Sequence, residues 1–236
     1  SCSDNGNGNM PTDIVSGLNP GDTVLIRVWD EGGNATGTFN IALDDPNPTY
    51  CLNGTATPTG VDDCVQLTEA TNGQGGCAWS ATPFDLTANI DVEFSVNVGS
   101  DDGGADGVTF VIQNTGNGAS ESCGATGGGI GAQGLTPSVI IEFDTWCNGY
   151  GDSGNWAWEP TYDHIAVEID GTLIQDQAAS LNNAPYAGPV QASSTSGDIE
   201  DGLDHAVQIT WDAGTQVMEI YFDGVLRLSF TIDLVS

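Results

Sequence analysis

The 236-residue chain carries 33 acidic residues against two arginines, Arg27 and Arg227, and no lysine, for a formal net charge of −31. Such a surface repels nucleic acid and anionic membranes, which argues against either as the main partner and leaves divalent cations and neutral molecules open. The length admits one large domain, or one domain and part of another, and no apolar run approaches the ~20 residues of a membrane-crossing helix.

In chain order, residues 1–20 are rich in Gly, Asn and Asp and read as loop. Thr23–Trp29 is a predicted strand, Asp30–Asn34 a turn and Gly37–Leu43 a returning strand. A lone hairpin is marginal in water, so this one needs further strands to pack against. Its turn before Pro20-Gly21 and its Ile26-Arg27-Val28-Trp29 run resemble the last two strands of small β-sandwich modules in very large secreted bacterial surface proteins. That resemblance makes residues 1–45 the tail of a preceding module and 46–49, with Pro46 and Pro48, a stiff linker. Residues 50–236 then form the main domain, and the chain reads as a segment of a longer surface protein.

From Cys51 onward the pattern becomes short strands between Gly and Asn turns: Cys64–Leu67, Gly76–Ser80, Ile90–Val98 and Val108–Gln113. In the third, Ile90, Val92, Phe94, Val96 and Val98 alternate with polar residues, so one face is buried. The acidic turn Asp101–Gly107 lacks the terminal Glu of an EF-hand loop. The glycine run Gly127–Gly131 leads through Thr136-Pro137 into a strand rather than a helix, which removes the helix N-terminus a phosphate cradle needs.

The chemical centre is Ile140–Asn148. Read as an extended strand, it places Ile141 and Phe143 on the core and Glu142, Asp144, Trp146 and Asn148 on the opposite face. Two carboxylates side by side repel unless a cation lies between them. Downstream come Glu159-Pro160 and then His164, which opens the strand His164–Ile169. Oxygen ligands of this kind suit Ca²⁺, and the imidazole suits a transition ion such as Mn²⁺. A polar loop over 175–189 and a turn over 197–202 precede three strands: Asp204–Trp211, Gln216–Phe222 and Val225–Ile232. Trp211, Met218, Ile220, Phe222 and Leu226 are predicted core. His205 reads as a strand-edge residue without a carboxylate partner.

Three motifs occur in one order: Ala105-Asp106-Gly107, Gly127–Gly131, and Glu142-x-Asp144-x-Trp146-x-Asn148 followed by Glu159-Pro160 and His164-Ile165. Together they resemble the L-type (legume-like) lectins, with Glu159 where that family usually has Asp and a longer loop over 149–158. The resemblance implies an all-β fold, an antiparallel β-sandwich of the jelly-roll, concanavalin-like kind, lacking its last strand here. It implies Glu142, Asp144, Glu159 and His164 around a transition ion, and Asp144, the Trp146 carbonyl, Asn148 and Glu159 around Ca²⁺. Asp106, Asn148 and an N–H of Gly128 or Gly129 would bind sugar hydroxyls, with Trp146, Tyr150 or Trp156 stacking on the ring. The partners implied are neutral glycans and neighbouring domains of the same polypeptide, in a secreted or cell-surface adhesin.

Six cysteines with no Cys-x-x-Cys spacing favour disulfides over zinc and an extracellular setting. The expected pairs are Cys123 with Cys147, both on loops at the metal end, and Cys64 with Cys77 or Cys51. Two rival functions carry their own signals. Glucanases on a similar sandwich show Glu-x-Asp-x-x-Glu, and here Cys147 stands where the second Glu is needed, so the chain is expected not to be an enzyme. A purely structural role in an adhesive polymer requires no open sugar site.

Overall fold

The computed structural model describes residues 50–59, 64–148, 160–173 and 185–235. The chain divides between Asp44 and Asp45, and every described residue belongs to the second unit. The expected hairpin at 23–43 and Cys2 lie outside the described residues, as do Tyr150, Trp156 and Glu159.

Twelve strands are described: β1 (Tyr50–Gly54), β2 (Thr57–Pro58), β3 (Val65–Gln66), β4 (Gly76–Ser80), β5 (Ile90–Val96), β6 (Gly107–Gln113), β7 (Ser138–Asp144), β8 (His164–Ile169), β9 (Ala187–Gln191), β10 (His205–Asp212), β11 (Val217–Phe222) and β12 (Val225–Thr231). Two four-stranded antiparallel sheets, ordered β12-β11-β10-β5 and β6-β7-β8-β9, face each other, with two small ribbons, β1-β4 and β2-β3, beside them. The period-2 pattern explains the packing. Ile209, Trp211, Met218 and Ile220 from one sheet meet Ile141, Phe143, Ile165 and Val167 from the other, all essentially excluded from water. This is the all-β sandwich expected from the sequence.

Phe94 stacks on Phe110 at 5.7 Å and meets Phe143 edge-on at 6.5 Å, so aromatic rings stitch the two sheets together. The far face of the β6-β9 sheet is also covered: Ile140 packs with Ala132 and Leu173 from flanking loops. That cover buries the polar residues sharing the face with Ile140, namely Glu142, Asp144, His164 and Glu168.

Several expectations need correction. Leu226 is exposed, because a bulge at Ile220/Tyr221 pairs it with outward-facing Tyr221 and gives the inward position to Leu228. The polar loop expected over 175–189 gives way at Ala187 to an edge strand, Ala187–Gln191, in which the missing N–H of Pro189 is tolerated. Cys123 is bonded to Cys77, not to Cys147, joining β4 to the loop after β6. Cys51 and Cys64 form no disulfide among the described residues. The two ribbon strands Tyr50–Gly54 and Thr57–Pro58 had no periodic signal.

Candidate functional site

The site is built where β7 ends. Asp144 is its last residue, flanked by Gly107 of β6 and His164 of β8, and Glu142 lies between Thr109 and Ala166. The small neighbours Gly107 and Ala166 leave room for carboxylates on this face. Glu142, Asp144 and His164 are 0%, 0% and 1% exposed. Such burial demands partners, since an unpaired interior charge is expensive. Glu142 Oε1 lies 3.5 Å from His164 Nε2. Burial alone would lower the His164 pKa, but the contact with Glu142 and the charges of Asp144 and Glu142 outweigh it, leaving it raised.

Beyond Asp144 the chain turns. The Trp146 N–H donates to Asp144 Oδ1 at 2.8 Å and the Thr145 N–H donates to the Asp106 carbonyl at 3.1 Å. The strand therefore stops two residues before Trp146, so the shared face expected for all four side chains extends only to Glu142 and Asp144. Trp146 projects into solvent, 43% exposed.

The turn brings Asn148 over the tip of the Ala105-Asp106 loop, whose linking peptide is cis. Asn148 Nδ2 donates to Asp106 Oδ1 at 3.3 Å. Gly128 completes the group: a Cβ there would stand 3.1 Å from Asn148 Nδ2 and 3.2 Å from its Oδ1, so any larger residue would press the carboxamide out of this position. Asp106, Gly128 and Asn148, far apart in sequence, thus converge, with Gly129 buried next to Gly128.

One atom tests whether this donor set fits a metal. Asn148 Oδ1 is sealed from water and makes no hydrogen bond among the described residues. Leaving such a group unsatisfied costs ~1–3 kcal/mol, and a carboxamide oxygen is of the right chemistry to ligate a cation. Glu142, Asp144 and His164 at one buried end of the sheet, and Asn148 on the turn beyond, are donors of the kind a cation takes, and the remaining expected ligand, Glu159, lies outside the described residues.

A second acidic group was not expected. Among the described residues, the one set of three carboxylate or imidazole groups with ligand atoms all within 4.8 Å of one another is Asp102, Asp198 and Glu200. Burial first, then the charges of Asp163, Asp198, Asp102 and Asp101, push the Glu200 carboxyl up to about 7. Burial also raises Asp163, against the hydrogen bond donated by the Ile199 N–H, with Asp198 and Asp102 adding repulsion. The acidic runs at 101–102 and 198–201 were the available sequence signal, but nothing in the sequence placed them side by side.

Residues 41–236 match the legume lectin β-barrel domain. The chain belongs to the L-type lectin family. The L-type lectin domain also matches solved plant lectins in fold: the basic winged bean lectin bound to Tn-antigen, at 21% identity and TM-score 0.54 over 81% of this chain and 78% of that one, and the Bauhinia forficata lectin in complex with GalNAc, at 20% identity and TM-score 0.56 over 79% of each. A curated relative, the pesticidal crystal protein Cry22Aa of Bacillus thuringiensis, is 29% identical over 104 residues, 44% of this chain. The chain spans only 14% of that relative's length. The family is one of lectins, and Cys147 stands where the glucanase pattern has its second Glu.

Proposed function

We propose that this L-type lectin domain binds neutral glycans in a metal-dependent way, as part of a secreted or cell-surface adhesin. The observation that carries the reading is the convergence of Asp106, Gly128 and Asn148, with Asn148 Oδ1 left for a cation on the inner side. Asp106 accepts from two sugar hydroxyls, the Asn148 amide donates, and an N–H of Gly128 or Gly129 donates from the main chain. Trp146, exposed beside them, stacks on the apolar face of the ring.

Glu142, Asp144, Glu159 and His164 would hold a transition ion such as Mn²⁺, and Asp144, the Trp146 carbonyl, Asn148 and Glu159 would hold Ca²⁺. Bound cations supply fixed positive charge that neutralises the carboxylates and fixes the Asn148 carboxamide before sugar arrives. The Cys77–Cys123 disulfide supports an oxidising, extracellular setting. Residues 1–45 are the tail of a preceding module, with 46–49 as linker to neighbouring domains.

The GalNAc, Tn-antigen and galactose complexes of plant lectins with this fold make GalNAc- and galactose-terminated glycans the first candidates. A glycan array probed with Ca²⁺ and Mn²⁺, then with EDTA, tests this. Signal that disappears with EDTA and with Asp106→Asn supports the proposal. Signal indifferent to both, or no binding to any neutral glycan when metal-loaded, leaves a structural module instead.

A further inference from the structure

The Asp102–Asp198–Glu200 group shares no residue with the ligands expected at Glu142, Asp144, Asn148, Glu159 and His164, and it joins two loops. One runs from β5 to β6 and ends in Asp106; the other, residues 197–204, precedes β10. Their bases are already zipped together: the Gly202 N–H donates to the Gly99 carbonyl at 2.7 Å, and Asn97 Nδ2 donates to the Gly202 carbonyl at 3.2 Å and to Asp204 Oδ1 at 3.0 Å. The second loop also hangs on Asp163, whose Oδ2 accepts from the Ile199 N–H at 2.7 Å. Above this zipper the carboxylates face one another with no lysine or arginine between them among the described residues, a costly arrangement unless something positive intervenes.

Glu200 is the independent sign that a ligand belongs there. It is 5% exposed, and its Oε2 is sealed from water without a hydrogen-bond partner. Gly104 approaches so closely that a Cβ there would stand 2.5 Å from Glu200 Oε1, so the first loop closes down over this carboxylate rather than leaving it to solvent. Asp198 is oriented by its own Oδ1, which accepts from the Glu200 N–H at 2.7 Å, and the exposed Asp102 completes the set from the opposite loop.

We propose that a divalent cation of the Ca²⁺ class binds between Asp102, Asp198 and Glu200 and ties the Asp106-bearing loop to the 197–204 loop. The donors are carboxylate oxygens from two loops, with neither imidazole nor thiolate, which favours Ca²⁺ over zinc or a transition ion. The cation braces one side of the sugar site from outside it. The site shares no ligand with the set Glu142, Asp144, Asn148 and His164, and stands whether or not the domain binds sugar.

The test is Ca²⁺ stoichiometry on the full chain, stripped on a chelating resin and then equilibrated with Ca²⁺ in the ~10⁻⁴–10⁻³ M range of extracellular modules. The parent is compared with Asp198→Asn/Glu200→Gln and with Asp102→Asn, whose exposed carboxylate is not needed for folding. Each variant is expected to bind one equivalent fewer than the parent. In EDTA the double variant should melt no lower than the parent, because repulsion is relieved, and its gain in melting temperature on adding Ca²⁺ should be the smaller one. Equal stoichiometry and affinity in all three proteins overturns the proposal. Loss of every Ca²⁺ in either variant also overturns it, since the loops would then belong to a single centre.

Discussion

At the scale of single residues, Gly128 shows how a missing side chain makes a site. Its main chain lies against the Asn148 carboxamide, so Gly128→Ala forces a methyl group into a 3.1 Å gap. We expect sugar affinity to fall about tenfold or more, ~1.4 kcal/mol, with the melting temperature nearly unchanged, as measured by calorimetry and thermal denaturation. His205 supplies a second residue-scale prediction. It was read as a partnerless edge residue, yet its Nδ1 lies 2.9 Å from Asp223 Oδ2, its Nε2 3.3 Å from Asp201 Oδ1, and its ring stacks on Phe222. Burial pulls its pKa down, but the Asp223 hydrogen bond and the charges of Asp223 and Asp201 carry it above 6.5. A folded-state pKa above the unfolded one gives stability that is complete below the unfolded value and is lost as pH rises through the folded value. Denaturant titrations of the parent and His205→Gln from about pH 5 to 8 should show the largest gap at the acid end, shrinking as pH rises above 6.5. A gap that widens with pH would contradict the pairing.

At the scale of elements, strands with clean alternation were legible in the sequence and those with interrupted patterns were not. Ile141 and Phe143 of β7, and Trp211, Met218, Ile220 and Phe222 of β10 and β11, went to the core because period-2 burial is a local rule. Leu226 and β9 escaped it, since a bulge and a Gly-Pro pair depend on what the neighbouring strand does. Long-range partnerships escaped for the same reason: Cys77 with Cys123, and Asp102 with Asp198 and Glu200, meet only after the sheets assemble. Within the candidate site, Asp106, Gly128, Asn148, Glu142, Asp144 and His164 were readable because a family motif fixes their order, whereas the end of the strand at Asp144 was not. The disulfide closes a separation of 46 residues, so Cys77→Ser/Cys123→Ser should lower unfolding free energy by ~2–4 kcal/mol in chemical denaturation. A change below ~1 kcal/mol would mean that β4 and the loop after β6 are held by other contacts. Arg227 bridges elements differently: its Nε donates at 3.0 Å and its Nη2 at 2.6 Å to the Gln191 carbonyl, tying β12 to β9. Arg227→Ala should cost about 1.5–3 kcal/mol in the same assay, as expected for losing hydrogen bonds from a charged donor.

At the scale of the whole molecule, the net charge of −31 frames the rest. Arg227 is spent on a backbone carbonyl, so the acidic surface has almost no internal counterions and the folded state repels itself. Added salt should raise the melting temperature by screening, and Ca²⁺ should raise it more than Na⁺ at equal ionic strength, because cations bound between carboxylates add to screening. The loop that carries Asp106 also carries Asp102 and is contacted by Asn148, which makes charge neutralisation and sugar binding parts of one account. The most direct test is a calorimetric titration of a GalNAc- or galactose-terminated glycan into the metal-loaded chain, repeated after EDTA and again after Ca²⁺ and Mn²⁺ are restored. The account predicts saturable binding that vanishes with the chelator and returns with the metals; undiminished binding in EDTA would contradict it.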